Sequence, residues 1–220
     1  MVETTIDLDD WDRAVQFRLF RTYERPHFAT TSRLSVDNVI RNLKPAGVSP
    51  YRACLYAIGM AIHKVPAMRL RFRGDQVVRH DAVEMSATVP QHAGGFGYSY
   101  IAFDPDFHTF DRAAAAEIEA VAKGASKPNT GERDDLVYLS CMPWLDYTSI
   151  NNAMADRNDC IPRVSWGKFV QDADGVWRMA MTLEVHHALL DGEHVGAFFE
   201  TVQTMLDGLS AKLRSKPLPH

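Results

Sequence analysis

Apolar residues recur along this chain at two spacings, and the switches between them predict its elements. From Asp9 to Phe20, Trp11, Val15, Phe17, Leu19 and Phe20 stand among charges, as in a short helix or turn anchored by aromatics. Residues 28–34 (FATTSRL) are β-prone. Ser35 is placed to cap a helix through Lys44, with Val36, Val39, Ile40 and Leu43 at helical spacing. In SPYRACLYAIGMAIHKV, Ser49 and Pro50 suit an N-cap and first helical position. Apolar residues then run almost all round, so this helix should be buried. LRFRGDQVVRH reads as a hairpin over a Gly-Asp turn, with further strands expected near Ser86–Pro90 and over 98–103. Between those two, residues 91–97 (QHAGGFG) lack the G-x-G-x-x-G spacing and strand-to-helix context of a phosphate cradle and read as ordinary loop.

Residues 110–123 (FDRAAAAEIEAVAK) predict a helix ended by Gly124, followed by a polar surface loop over 124–135. Strands are expected at 136–141, 163–170 and 177–187, the last two joined by a turn at Asp172–Gly175. A final helix runs from Gly192 to about Leu209, with Val195, Phe198, Phe199, Val202, Met205, Leu206 and Leu209 on one face. Strands outnumber helices and connect largely by hairpins. The expected fold class is therefore α/β in the α+β sense: a mixed, mostly antiparallel sheet with helices packed on it. With 220 residues and no linker, residues 1–220 read as one domain.

Composition narrows the function classes. The chain is 46% apolar and 24% charged, which suits a folded core rather than disorder. A net charge of −4 without a dominant basic cluster argues against nucleic acid or an anionic membrane as the main partner. The N-terminus lacks signal-peptide organisation and no run approaches 18 apolar residues, so the expected location is cytoplasmic. Cys54, Cys141 and Cys160 lie far apart and are expected to be buried, reduced thiols.

The chemistry concentrates at residues 185–194, VHHALLDGEH. Alternation along RMAMTLEVHH sends His186 and His187 to opposite faces, so only one of them faces a given site. Gly192 permits a sharp reversal, and Asp191 stands where the final helix begins. Asp191 as a simple N-cap, Glu193 against the helix dipole and histidines with satisfied nitrogens make an equally good structural account of the string. A metal site from His186, His187 and His194 is disfavoured, because they straddle a strand–helix junction without the i, i+4 spacing of helical zinc ligands.

HHALLDGEHVG resembles the H-H-A-x-x-D-G-x-H-V-G signature of chloramphenicol acetyltransferases. WDRAVQFRLF, VPAMRLRFRGDQVVRHDAV, MPWLDYTSINN and IPRVSWGKF agree with that family in order and spacing, so the resemblance covers almost the whole chain. It implies a two-layer fold, a homotrimer with active sites between subunits, and acetyl transfer from acetyl-CoA to a small hydroxyl acceptor, chloramphenicol first among them. It implies no metal and no acyl-enzyme. In those terms His187 is the general base, Ser149 donates to the tetrahedral oxyanion, and Asp191 and Arg13 form an ion pair that braces the histidine turn. The resemblance also assigns Ser165, in place of the threonine common in the family, to a water-mediated contact in the substrate site, and offers Tyr23 and Phe28 as acceptor wall, positions that read equally well as ordinary core. Pro26 replaces a small polar or thiol residue and leaves another small hydroxyl or amine open as acceptor. A non-catalytic binding protein on the same scaffold is the alternative from a different class. It gives no reason for an aligned base and oxyanion donor.

Overall fold

A computed structural model describes residues 2–125 and 133–214. The buried α2 helix, Pro50–Lys64, organises the core. Ser49 caps it by accepting the Arg52 N–H (3.4 Å), and nine of its residues, Ala53–Gly59 with Ala61 and Ile62, are buried. It packs beside α3 (Phe107–Ala122) and α4 (Gly192–Arg214) in one continuous hydrophobic cluster. Asp106 caps α3 through the Thr109 N–H (3.0 Å), which starts that helix three residues before its expected position. Gly124, at φ +102°, ends its last turn as expected. A short α1, Ala14–Phe20, buries Ala14 and Phe17.

α2, α3 and α4 cover one face of a seven-stranded sheet. Its path runs β2 (His27–Ser35), β10 (Trp177–His186), β8 (Arg163–Gly167), β7 (Leu136–Met142), β5 (Glu84–Pro90), β6 (Phe96–Ala102), with β9 (Val170–Gln171) paired to β10. Only β5–β7 and β7–β8 are parallel, so the sheet is mixed and mostly antiparallel, as the hairpin spacing predicts. β10 has its partners on both sides. Met179, Met181, Leu183 and Val185 join the core, and by alternation Thr182, Glu184 and His186 point to the opposite, polar face.

Four details depart from expectation. The hairpin of β3 (Leu70–Arg73) and β4 (Gln76–His80) belongs to a separate three-stranded sheet completed by β1, Glu3–Ile6. β1 is four largely exposed residues with one apolar side chain, too short to show a period. Ser35 stays in β2, paired with Arg178, and the helix after it widens to a π-turn over Val39–Leu43, closed by Lys44 N–H on the Val39 carbonyl (2.9 Å). The strand expected over 163–170 breaks after Gly167, because the Lys168 N–H turns away to the Leu145 carbonyl (2.7 Å). Cys54 and Cys160 are buried, but Cys141 is partly exposed. Most of the polar loop expected over 124–135 lies outside the described residues.

Candidate active site

β10 delivers its two histidines to different environments. His186, the last strand residue, is 1% exposed. Its Nδ1 accepts the Ala188 N–H (3.1 Å), so the proton sits on Nε2 and is donated to the Arg157 carbonyl (3.0 Å). Burial, aided by neighbouring His27, pushes its pKa down to about 4. His186 is thus a neutral ring with both nitrogens committed, as the structural account of the string expects.

His187 lies just past the strand end, half-buried, with its N–H donated to the Pro26 carbonyl (2.8 Å). Its Nδ1 is 3.1 Å from the Leu190 carbonyl. A carbonyl only accepts, so Nδ1 carries the proton and Nε2, which bonds to no described residue, is the basic atom. The ring lies flat on Phe20 (centroids 3.8 Å apart, planes 8° apart) and against Phe28 (4.6 Å). Tyr23 stacks edge-on to Phe20 (5.1 Å) and is 45% exposed, so it reaches His187 only through Phe20.

The turn that follows is held from the N-terminal side. Arg13 pairs with Asp191 and donates a second hydrogen bond to the His187 carbonyl (3.2 Å). Asp191 also accepts from His194 Nδ1 (2.8 Å) and from the Glu193 N–H (3.2 Å), so it caps α4 while anchoring Arg13. Burial alone would raise the Asp191 pKa, but the His194 hydrogen bond and the Arg13 charge hold it below the usual carboxylate range.

Ser149 is exposed in the connection between β7 and β8. The residues around it attach to Ser165 in β8 and to Glu184 in β10, and His187 follows the end of β10 beside α1. Hydrogen bonds, an ion pair and a ring contact link His187, Asp191, Arg13 and Phe28 within one chain, and none of these contacts includes Ser149. Ser165 is 1% exposed and its hydroxyl donates to Asn152 Oδ1 (3.1 Å). It borders a cavity of about 820 Å³ on the polar sheet face, with Ser86, Thr88, Tyr98, Tyr138 and Asn152. A more apolar cavity of about 730 Å³ adjoins it, lined by Tyr51, Phe96, Ile118, Met142 and Trp144. His187 borders neither.

Sequence reasoning missed the ring under His187, since Phe20 reads equally well as an anchor of α1. It also missed Glu184 and Asn152. The one signal was a carboxylate in a buried strand, on the same face as Thr182 and His186.

Gly167 admits the serine-bearing segment to the sheet. A Cβ there would lie 2.6 Å from the Leu145 carbonyl oxygen and 3.1 Å from the Tyr147 ring. Gly167→Ala should displace Pro143–Ser149 and lower kcat about tenfold, because small misplacements of reacting groups carry large penalties. Steady-state kinetics beside a thermal melt would separate this from unfolding, and an unchanged kcat would show that the segment tolerates the shift.

The architecture is that of an acyltransferase. It superposes on the dihydrolipoamide acetyltransferase of Azotobacter vinelandii with a TM-score of 0.66 at 14% identity, over 91% of this chain and 88% of that one, a likeness of fold alone. A solved chloramphenicol acetyltransferase matches with a TM-score of 0.85 at 27% identity, over 93% of this chain and 100% of that one. The chloramphenicol acetyltransferase of Clostridium perfringens is 26% identical over 215 residues, 96% of this chain and 98% of the relative. The family profile for chloramphenicol acetyltransferase matches residues 1–203, and the chain belongs to that family of acyltransferase enzymes.

Proposed function

We propose that the protein transfers an acetyl group directly from acetyl-CoA to a hydroxyl of a small acceptor, with chloramphenicol as the leading candidate. The fixed tautomer of His187 carries this reading. With Nδ1–H held by the Leu190 carbonyl, Nε2 is free to take the hydroxyl proton as the oxygen attacks the thioester carbonyl. A thioester is already a good electrophile, so no protein nucleophile is required. The carbonyl becomes a tetrahedral oxyanion that Ser149 Oγ stabilises, and collapse expels the coenzyme thiolate, which takes up the proton. Arg13 and Asp191 hold the turn rather than react. Phe20 and Phe28 shield the imidazole, and Phe28 with Tyr23 forms the acceptor wall.

Purified protein mixed with acetyl-CoA and chloramphenicol should release free thiol in step with acetylated drug. Absence of release at high enzyme concentration would exclude this acceptor. A second acceptor class, another small hydroxyl compound, is favoured by the hydroxyl-lined cavity beside Ser165. Screening for a one-acetyl mass gain tests it.

A further element of the proposal is a cytoplasmic homotrimer in which each site takes its base from one subunit and its serine from the next, a division supported by the absence of His187 from the lining of both cavities. Each subunit would be a single domain over residues 1–220. Co-expressing His187→Ala chains with Ser149→Ala chains should then regenerate intact sites, up to roughly one quarter of all sites for random assembly into closed rings. Mixed assemblies as inactive as either parent would place both residues of a site in one chain.

A further inference from the structure

The connection carrying Ser149 is tied to the sheet on both sides. Two residues before it, the Tyr147 hydroxyl donates to the Ser165 carbonyl (2.8 Å) and accepts from Thr182 Oγ1 (3.3 Å), which in turn accepts from Thr31 Oγ1 (2.7 Å). Because a carbonyl ends this chain, every hydroxyl in it has one direction in which to donate. Three residues after Ser149, both the main-chain N–H and the side-chain Nδ2 of Asn152 donate to a single oxygen, Glu184 Oε2 (2.6 and 3.0 Å).

Glu184 is 5% exposed, and among the described residues it enters no ion pair. Arg163, directly opposite in the β8–β10 register, is engaged with Asp159 (2.5 Å). A carboxylate buried without a cation is expensive, and its presence here calls for a local task that an apolar side chain cannot perform. The hydrogen bonds supply one. By seizing the backbone as well as the amide of Asn152, Glu184 fixes where the chain lies as it leaves Ser149, while Tyr147 fixes where it arrives.

We infer that Glu184 is a positioning residue for Ser149, acting through Asn152. This rests on the proposed oxyanion role of Ser149. Glu184→Ala should lower kcat about 10- to 100-fold, with the KM for acetyl-CoA within about twofold, since the loss falls on the transition state rather than on binding. Both donors meet one oxygen, so the amide carbonyl of Glu184→Gln can receive them and should hold kcat within about threefold of the wild type. In a Ser149→Ala background, itself slower by about 100-fold or more, Glu184→Ala should cause no further loss.

Equal damage from Gln and Ala would mean that the charge itself is used and would overturn the inference. So would an undiminished effect of Glu184→Ala in the Ser149→Ala background. Ser149→Ala with unchanged kcat would instead remove the serine's role, a failure distinguishable from either. Should Glu184→Ala not fold, half-exposed Asn152 offers the same test: Asn152→Ala should lower kcat about three- to tenfold and lose that effect when Ser149 is also alanine.

Discussion

Replacing His187 with alanine is expected to lower kcat roughly 10²- to 10⁴-fold, the range over which a positioned general base contributes. The fold should survive. Among the described residues the imidazole makes one hydrogen bond, to the Leu190 carbonyl, and its nearest ring neighbour is Phe20. Losing such a stacked pair costs about 0.5–1.5 kcal/mol beyond area burial. His186→Ala should behave in the opposite way. It strands the Arg157 carbonyl and the Ala188 N–H, and leaving a buried group unsatisfied costs about 1–3 kcal/mol. It should therefore lower the melting temperature more than His187→Ala does and affect kcat less. Thiol-release kinetics and melting curves on both variants test the pair. A His187→Ala enzyme within tenfold of wild-type kcat would remove that ring from the reaction.

The neighbouring histidines also illustrate how far the sequence could be read. Strand alternation showed that the two rings separate, and the glycine and aspartate after them marked the turn, because both signals are local. Which ring keeps an uncommitted nitrogen depends on the contacts the two rings make once folded, and the Arg157 contact of His186 crosses 29 residues of chain, where periodicity carries no information. The sheet was legible because each strand alternates or forms a hairpin with its sequence neighbour. The attachment of β1 to β4 and the parallel insertion of β7 between β5 and β8 are long-range choices that no window contains. Arg13 is the sharpest case: by itself it reads as a solvated arginine, and only the match of W-x-R to the family pattern tied it to Asp191, 178 residues away. The Glu184–Asn152 clamp had no such match and remained unread.

Removing the negative charge of that ion pair with Asp191→Asn should harm stability and rate together. Arg13 is 7% exposed and its Nε is buried without a partner, so the guanidinium depends on Asp191 for its counter-charge. Breaking a buried pair costs about 3–5 kcal/mol. With the Asp191 side chain 36% exposed, solvent screens part of the charge and the loss should fall near the low end, about 3 kcal/mol. Rate falls as well, because Arg13 also holds the His187 carbonyl and the same turn presents the Leu190 carbonyl that sets the tautomer. The sign of the pH dependence follows from the depressed carboxyl. Folded Asp191 titrates below its unfolded value of about 3.9, so its stabilisation is complete above about pH 5 and drains away as pH falls through the folded pKa. The gap in melting temperature between wild type and Asp191→Asn should accordingly be wide above about pH 5 and narrow below about pH 4. Melts across that series decide the matter: a gap that persists undiminished into strong acid would mean that Asp191 supports the turn through its shape and hydrogen bonds, with its charge irrelevant to the brace.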